Sequence, residues 1–92
     1  MALVATFEAP LWRYPGPGGW FFVTVPPDRV FPVVAPFGRT PVDACVDGHT
    51  WRTSTWRDAT GQVVLAVPKK VRGQKDVGDA VAVTLTFDGR IG

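Results

Sequence analysis

Apolar and polar residues alternate along much of this chain with the period of two that is typical of β-strands. The clearest case is residues 80–88, where Val81, Val83, Leu85 and Phe87 are separated by small or hydroxylated residues. Looser alternation predicts three more strands, over residues 2–8, 40–46 and 49–55, and nearly continuous apolar runs predict two others, over residues 20–25 and 62–67. No comparable helical periodicity is present in the sequence, so we predict a mainly β protein with six strands.

Proline and glycine mark where these strands end. If the first strand continues to Arg13, Pro10 confines that part to an edge or a bulge, because proline has no backbone N–H. Asp47-Gly48 is typical of a two-residue hairpin turn. Residues 27–31 are expected to form one short helical turn, because proline suits a first helical position, and residues 68–75 hold one short turn at most. Pro32 and Pro36 forbid a long helix across residues 30–38, which are expected to form an irregular, partly apolar cap.

The chain contains an internal repeat. Residues 20–30 and 62–72 are both apolar runs that end in Val-Pro and then become polar, and their spacing is 42 residues. Residues 42–48 and 83–89 form a second related pair, spaced by 41. A repeat at this distance indicates one supersecondary unit used twice. We therefore predict that residues 1–92 form a single domain, a small closed six-stranded β-barrel of the double-split type, with a pseudo-twofold axis and one or two short helical caps.

Composition supports a packed, β-rich domain, since 46% of residues are apolar and 12% are aromatic. The single cysteine, Cys45, excludes an internal disulfide and is expected to be a small core residue. No basic segment followed by an apolar run of secretory length begins the chain, and no apolar run is long enough to span a membrane. We expect a cytoplasmic monomer that does not contact a membrane.

Positive charge is concentrated in residues 49–75, where six basic residues accompany Asp58 and give a balance of +5, although the whole chain carries only +2. Such a window can attract an anionic partner. Arginine and lysine bind phosphate or carboxylate, and a tryptophan face can stack on a base. The candidate ligand-binding residues are Arg52, Ser54, Trp56, Arg57, Lys69, Lys70 and Arg72.

Catalytic chemistry finds little support in the sequence. His49 is the only histidine and Ser54 the only serine, and their spacing on one strand puts them on opposite faces. Cys45 and His49 alone do not make a zinc site. We therefore expect no catalytic residues, no metal and no cofactor, and we interpret the protein as a non-enzymatic one.

Several short segments of the chain follow an order and spacing that is specific: Phe7 to Arg13, Pro15-Gly16, Gly19-Trp20, Val23 to Pro26, Gly48, Trp51 to Ser54, Val67 to Lys69, Val71-Arg72 and Gly78 to Val81. In these segments the chain resembles a family known as domain of unknown function nineteen-oh-five (DUF1905), which comprises small bacterial and archaeal β-barrel domains. The resemblance implies a shape similar to the double-split barrels of AbrB-type and MazE-type regulators. It also implies that members are often fused to a YdeI/OmpD-associated domain, which we do not expect in this chain.

Four functions are compatible with these patterns. We favour a binding module that holds an unknown anionic ligand on the basic face. An AbrB-like DNA-binding regulator is an alternative, suggested by the run from Val67 to Arg72. Against this regulator, the first repeat has Pro27-Asp28 where the second has Lys69-Lys70, so twofold basicity is lost. Nucleic acid is therefore a possible partner but not the favoured one. A small enzyme is the third hypothesis and a protein-interaction domain with no small ligand is the fourth, which exposure of Trp12 or Trp56 would favour.

Overall fold

A computed structural model describes residues 2–33 and 36–90 and places seven strands in one antiparallel sheet. The order across the sheet is β1-β7-β4-β5-β6-β3-β2. The strands are β1 (Leu3–Pro10), β2 (Trp12–Arg13), β3 (Phe21–Thr24), β4 (Arg39–Val46), β5 (His49–Arg57), β6 (Val63–Ala66) and β7 (Ala80–Phe87). Short 3₁₀ helices cover Pro27–Arg29 and Pro36–Gly38, and one helical turn, α1, covers Lys69–Arg72. The mainly β prediction is confirmed, with short helical turns at both predicted places.

The strand count of six was wrong because the first predicted strand divides in two at Leu11. Pro10 is the last residue of β1, and the N–H and C=O of Leu11 bond to Asp79 and Gly78, at 2.9 Å each, instead of to a neighbouring strand. The chain then continues as β2, which pairs with β3. The expectation that Pro10 lies at an edge is confirmed, since β1 ends the sheet.

The sheet is strongly curled. Its two edge strands, β1 and β2, are joined through the single residue Leu11, and Arg29, which follows β3, donates to the carbonyl oxygen of Thr6 in β1 at 3.2 Å. Opposite ends of the strand order therefore approach each other around one core, as in a half-barrel. Within residues 2–33 and 36–90, no ladder is assigned between β1 and β2, so complete closure of the barrel stays a prediction.

The two repeats pair with each other, strand against strand. In β3–β6, Val23 lies opposite Leu65, its own equivalent in the other repeat, and in β4–β7 Ala44 lies opposite Leu85 in the same way. All four side chains are buried. A register centred on equivalent residues is the one that a local twofold axis requires.

Hydrogen bonds at the ends of the repeats are duplicated too. Val67 N–H donates to Phe21 at 2.9 Å, and Val25 N–H donates to Val63 at 2.8 Å, which is the same bond seen from the other repeat. Both helical turns also begin alike, because Arg29 N–H bonds to Pro26 at 2.8 Å and Val71 N–H to Pro68 at 2.9 Å. The repeat in the sequence is therefore a repeat in backbone geometry.

Alternation along the strands builds the core on the inner face of the sheet. Val42, Ala44 and Val46 of β4 are fully buried, whereas Cys45 between them is half-buried on the outer side, so the expectation that it belongs to the core was wrong. At the tip of this hairpin Asp47 and Gly48 both have positive φ, as a two-residue turn of the predicted kind needs. In the part of the chain that is described, no helix has the length and apolar character needed to cross a membrane.

Candidate functional site

Two of the predicted basic residues lie in one surface cleft. Lys69 and Arg72 line an opening of about 370 Å³ together with Gly18, Gly19 and Trp20 of the loop before β3. Among the described residues that line this opening there is no carboxylate. We call it the basic cleft, and its composition suits an anion.

Two contacts fix the position of Arg72 in this cleft. Its guanidinium lies 3.8 Å from the centre of the Phe21 ring and donates to the carbonyl oxygen of Lys75 at 3.1 Å. A planar cation over an aromatic face is a favourable arrangement that lysine reproduces poorly. Lys69, by contrast, is exposed, and none of the ion pairs between described residues involves it.

A second opening, of about 450 Å³, runs over the outer face of β2, β3, β6 and β5. We call it the aromatic groove. Cross-strand pairing explains its position, because Trp12 lies opposite Phe22 in β2–β3 and Trp56 lies opposite Val64 in β5–β6. The residues that line it are Trp12, Tyr14, Trp20, Phe22, Trp56, Arg57, Asp58, Val64 and Ala66.

The rings that form the floor of the aromatic groove contact one another closely. Trp12 stacks on Phe22 with ring centres 5.0 Å apart, Tyr14 meets Phe22 edge-on at 6.4 Å, and the Trp12 indole N–H donates to the Thr24 hydroxyl at 3.0 Å. Stacked rings fixed by a polar anchor lose little further freedom on binding a ligand. The groove is therefore largely pre-formed.

Cations border the groove at its β5 side. The Arg39 guanidinium lies 4.4 Å from the centre of the Trp56 ring, and Arg57 donates to the carbonyl oxygen of Gly61 at 2.9 Å. Asp58 is the acidic residue of the lining, and its Oδ1 already accepts from the Thr60 hydroxyl at 2.7 Å and the Gln62 N–H at 3.0 Å. Hydrogen bonds from Thr60 foremost lower the pKa of Asp58, so this carboxylate stays ionised while it organises the adjoining turn.

Trp20 joins the two openings, since it lines both the aromatic groove and the basic cleft. A Cβ atom at Gly18 would lie 3.0 Å from the Trp20 indole, so this glycine, with φ of 98°, lets the indole pack on the loop backbone. The Arg13 guanidinium approaches the neighbouring Gly19 closely. An apolar surface and a cationic one thus meet at a half-exposed tryptophan.

The internal repeat produces a counterpart of the basic cleft in the other half. That counterpart is lined by Thr60, Gly61 and Gln62 where the basic cleft has Gly18, Gly19 and Trp20. Pro27 and Val30 take the places of Lys69 and Arg72. The two clefts have equivalent backbones but differ in charge, because Lys69 and Arg72 line the basic cleft, whereas Arg57 is the one cation among the described residues that line its counterpart.

The remaining predicted residues lie elsewhere. Arg52 faces its cross-strand partner Asp43 and also Asp88, with nitrogen–oxygen distances of 3.5 Å to each, so its charge is already balanced. Ser54 lies on the outer face of β5 between Arg52 and Trp56, and Lys70 is exposed on α1 outside the lining of the basic cleft. The structure therefore brings Trp56 and Arg57 together in the groove and Lys69 and Arg72 together in the cleft. A ligand-binding role for any of the seven stays a prediction.

Trp12, Tyr14 and Trp20 are among the lining residues that were missing from the predicted site. They lie on two arms of a hairpin around the proline–glycine cluster, and the Tyr14 N–H bonds to the Trp20 carbonyl at 2.8 Å. A signal was present in the sequence, because Trp12 and Tyr14 share one strand face, as do Trp20 and Phe22. Which face points outward depended on the sheet.

Asp88 provides a pH-dependent contribution to stability beside Arg52. Hydrogen bonds from the side chain and then the backbone of Arg90 lower the pKa of Asp88 from 3.8 to about 2. A carboxylate whose pKa is lowered by folding stabilises the fold when ionised, so this stabilisation is complete above about pH 4 and is lost as the pH falls toward 2.

We expect the Asp88→Asn variant to unfold at a lower temperature than the wild type at neutral pH and to approach it near pH 2. Thermal unfolding followed by circular dichroism across this pH range measures the difference. The pKa of Asp47 is also lowered, chiefly by the hydrogen bond from Lys75, and Asp47 titrates in both proteins. Parallel plots of unfolding temperature against pH for the two proteins would therefore contradict the assignment to Asp88.

The chain matches the model of a known protein family. The model of the family described as Domain of unknown function (DUF1905) matches residues 7–85, which is most of the chain. The chain belongs to the DUF1905 family. The match includes every residue of the aromatic groove and the basic cleft, so both openings lie within the DUF1905 domain itself. None of the curated proteins compared with the chain matches it.

Proposed function

We propose that this DUF1905 domain is a non-enzymatic binding module for an anionic ligand, and that the ligand binds in the basic cleft and extends over Trp20 into the aromatic groove. The observation that carries the proposal is the shared position of Trp20 between a cationic and an aromatic surface. Because the repeats pair within one chain, we propose that the module acts as a monomer. The symmetric registers of β3–β6 and β4–β7 support the double-split type of barrel as its architecture.

Lys69 and Lys70 offer a matched test of the basic cleft. They are neighbours on α1 with the same charge, and only Lys69 lines the cleft. We expect inorganic pyrophosphate to shift the amide resonances of Gly18, Gly19 and Lys69 in nuclear magnetic resonance spectra. We expect Lys69→Gln to weaken this binding about three- to tenfold, as for one charge-assisted contact at an exposed site, and Lys70→Gln to leave it nearly unchanged.

Equal effects of the two variants would indicate diffuse attraction to positive charge rather than a site. Shifts centred on Arg52, or no shifts even at high ligand concentration, would contradict the proposal directly. A protein-interaction domain is the second candidate, and the exposed rings of the aromatic groove favour it. An AbrB-like regulator finds less support, since the counterpart cleft has Pro27 and Val30 in place of the two cations.

A further inference from the structure

From the proposed anion-binding function, on which this step rests, we infer that the ligand is a single-stranded nucleic acid. Its bases would stack in the aromatic groove and its phosphates would lie along the basic cleft and the bordering arginines. The inference depends on three features of the surface, namely partly exposed aromatic rings, cations beside them, and the asymmetry between the two repeats.

Exposed rings suit unpaired bases. Trp20, Trp56 and Tyr14 are 55%, 46% and 52% exposed, although each lines an opening whose floor is the Trp12–Phe22 stack. Aromatic side chains that rim a sheet surface stack on bases of any sequence, because every base has a π-face. The bases of a duplex are stacked on one another, so their faces are not accessible to these rings. The bases of a single strand are.

Cations lie where phosphates would run beside stacked bases. Arg39 and Arg57 border one side of the groove, and Lys69 and Arg72 lie beyond Trp20 at the other. The Asp58 carboxylate, which also lines the groove, is partly occupied by hydrogen bonds from Thr60 and Gln62. Because these cations outnumber the one carboxylate, the surface favours a polyanionic ligand over a cationic one. An aromatic groove with cationic borders is the combination by which single strands are bound.

The asymmetry of the repeats disfavours a duplex. A duplex bound along a twofold axis would need equivalent cations in both halves, but Pro27 and Val30 occupy the positions that correspond to Lys69 and Arg72. The cation that does line the counterpart cleft, Arg57, belongs to β5 and has no basic equivalent in the other repeat. One continuous track from the groove into a single cationic cleft suits one strand.

The test measures binding of the protein to a labelled oligothymidylate of fifteen nucleotides by fluorescence anisotropy. A duplex of the same length and inorganic polyphosphate serve as comparisons. At about 50 mM salt we expect the single strand to bind at least about tenfold more tightly than the duplex and to quench tryptophan fluorescence. We expect Trp20→Ala and Trp56→Ala each to weaken binding about tenfold, the effect of losing one stacked base. Phe37→Ala, which removes an aromatic ring that is 97% exposed and lies outside the groove, should leave binding unchanged.

Salt dependence adds a second readout. Log affinity falls with log salt, and this slope should become shallower by about 0.7 in Lys69→Gln, as for the loss of one phosphate contact to a single strand. In Lys70→Gln the slope should stay the same. Trp20→Phe and Trp56→Phe, which keep a ring, should bind with intermediate affinity, so a loss in the alanine variants is separable from poor folding.

The outcomes separate this inference from the proposed function. If polyphosphate binds as tightly as the oligonucleotide and the tryptophan variants have no effect, base stacking is overturned while the anion site stands. If neither polyanion binds, both proposals fail. Tighter binding of an acidic, proline-rich peptide than of the oligonucleotide would overturn the inference in favour of a protein ligand.

Discussion

Replacing Leu65 by alanine should lower the free energy of unfolding by about 2–5 kcal/mol, the range for a leucine removed from a packed core. Leu65 is fully buried in β6, opposite Val23 at the point where the two repeats meet. A domain of this size is stable by only about 5–15 kcal/mol, so the loss is a large share of the total. Urea denaturation followed by tryptophan fluorescence measures it as a lower midpoint at an unchanged slope.

Leu3→Ala is the matched control, because Leu3 is also a strand leucine but lies exposed on the edge strand β1. Its effect should stay within about 0.5 kcal/mol, as for surface substitutions generally. Leu85→Ala, at the corresponding centre of β4–β7, should behave like Leu65→Ala. A small effect at Leu65 together with a large one at Leu3 would mean that the core does not lie where the repeats pair.

Replacing Trp12 by alanine should lower the free energy of unfolding by about 2–3 kcal/mol, somewhat less than for a fully buried tryptophan. The variant loses the stack on Phe22 and the hydrogen bond to Thr24, which together attach the two-residue strand β2 to β3. The aromatic groove loses part of its floor as well. Urea denaturation measures the loss of stability, and the oligonucleotide assay measures the accompanying loss of affinity.

The Trp12–Thr24 hydrogen bond can be separated from the stacking. Trp12→Phe keeps a ring on Phe22 and should cost about 1 kcal/mol, the usual value of one such bond, and Thr24→Val should cost a similar amount. In the double variant the two effects should not add, because both changes remove the same bond. Full additivity would show that the 3.0 Å contact contributes nothing to stability.

The strands and their repeat were readable from local pattern because alternation depends only on neighbouring residues. Val81, Val83 and Leu85 are buried as their spacing predicted, and the sheet faces follow from them. The strand break at Leu11 was not readable, since its backbone bonds to Gly78 and Asp79, which are distant in sequence. Pro10 signalled an edge, but the new strand beyond it depended on a partner in β3.

The residues of the candidate site also differ in whether neighbouring residues in the sequence were enough to identify them. Lys69 and Arg72 were identified because basic residues cluster near them, but charge density along the chain also selected Arg52, which the fold places between two carboxylates. Trp20 was missed because an isolated tryptophan in an apolar strand resembles a core residue. Its exposure became clear only when β3 was placed with Phe21 and Val23 inward.

The amino-acid sequence by itself determined the β class, the turns, the two equivalent repeats and the presence of a cationic segment, because each depends on residues close together in the chain. The tertiary structure alone decided that the repeats pair symmetrically, that Leu11 turns one strand into two, and that Trp20 lies between a cationic and an aromatic surface. These outcomes depend on contacts between distant segments. Which segments meet is set by burial of the common core and by the backbone hydrogen bonds that each strand must find.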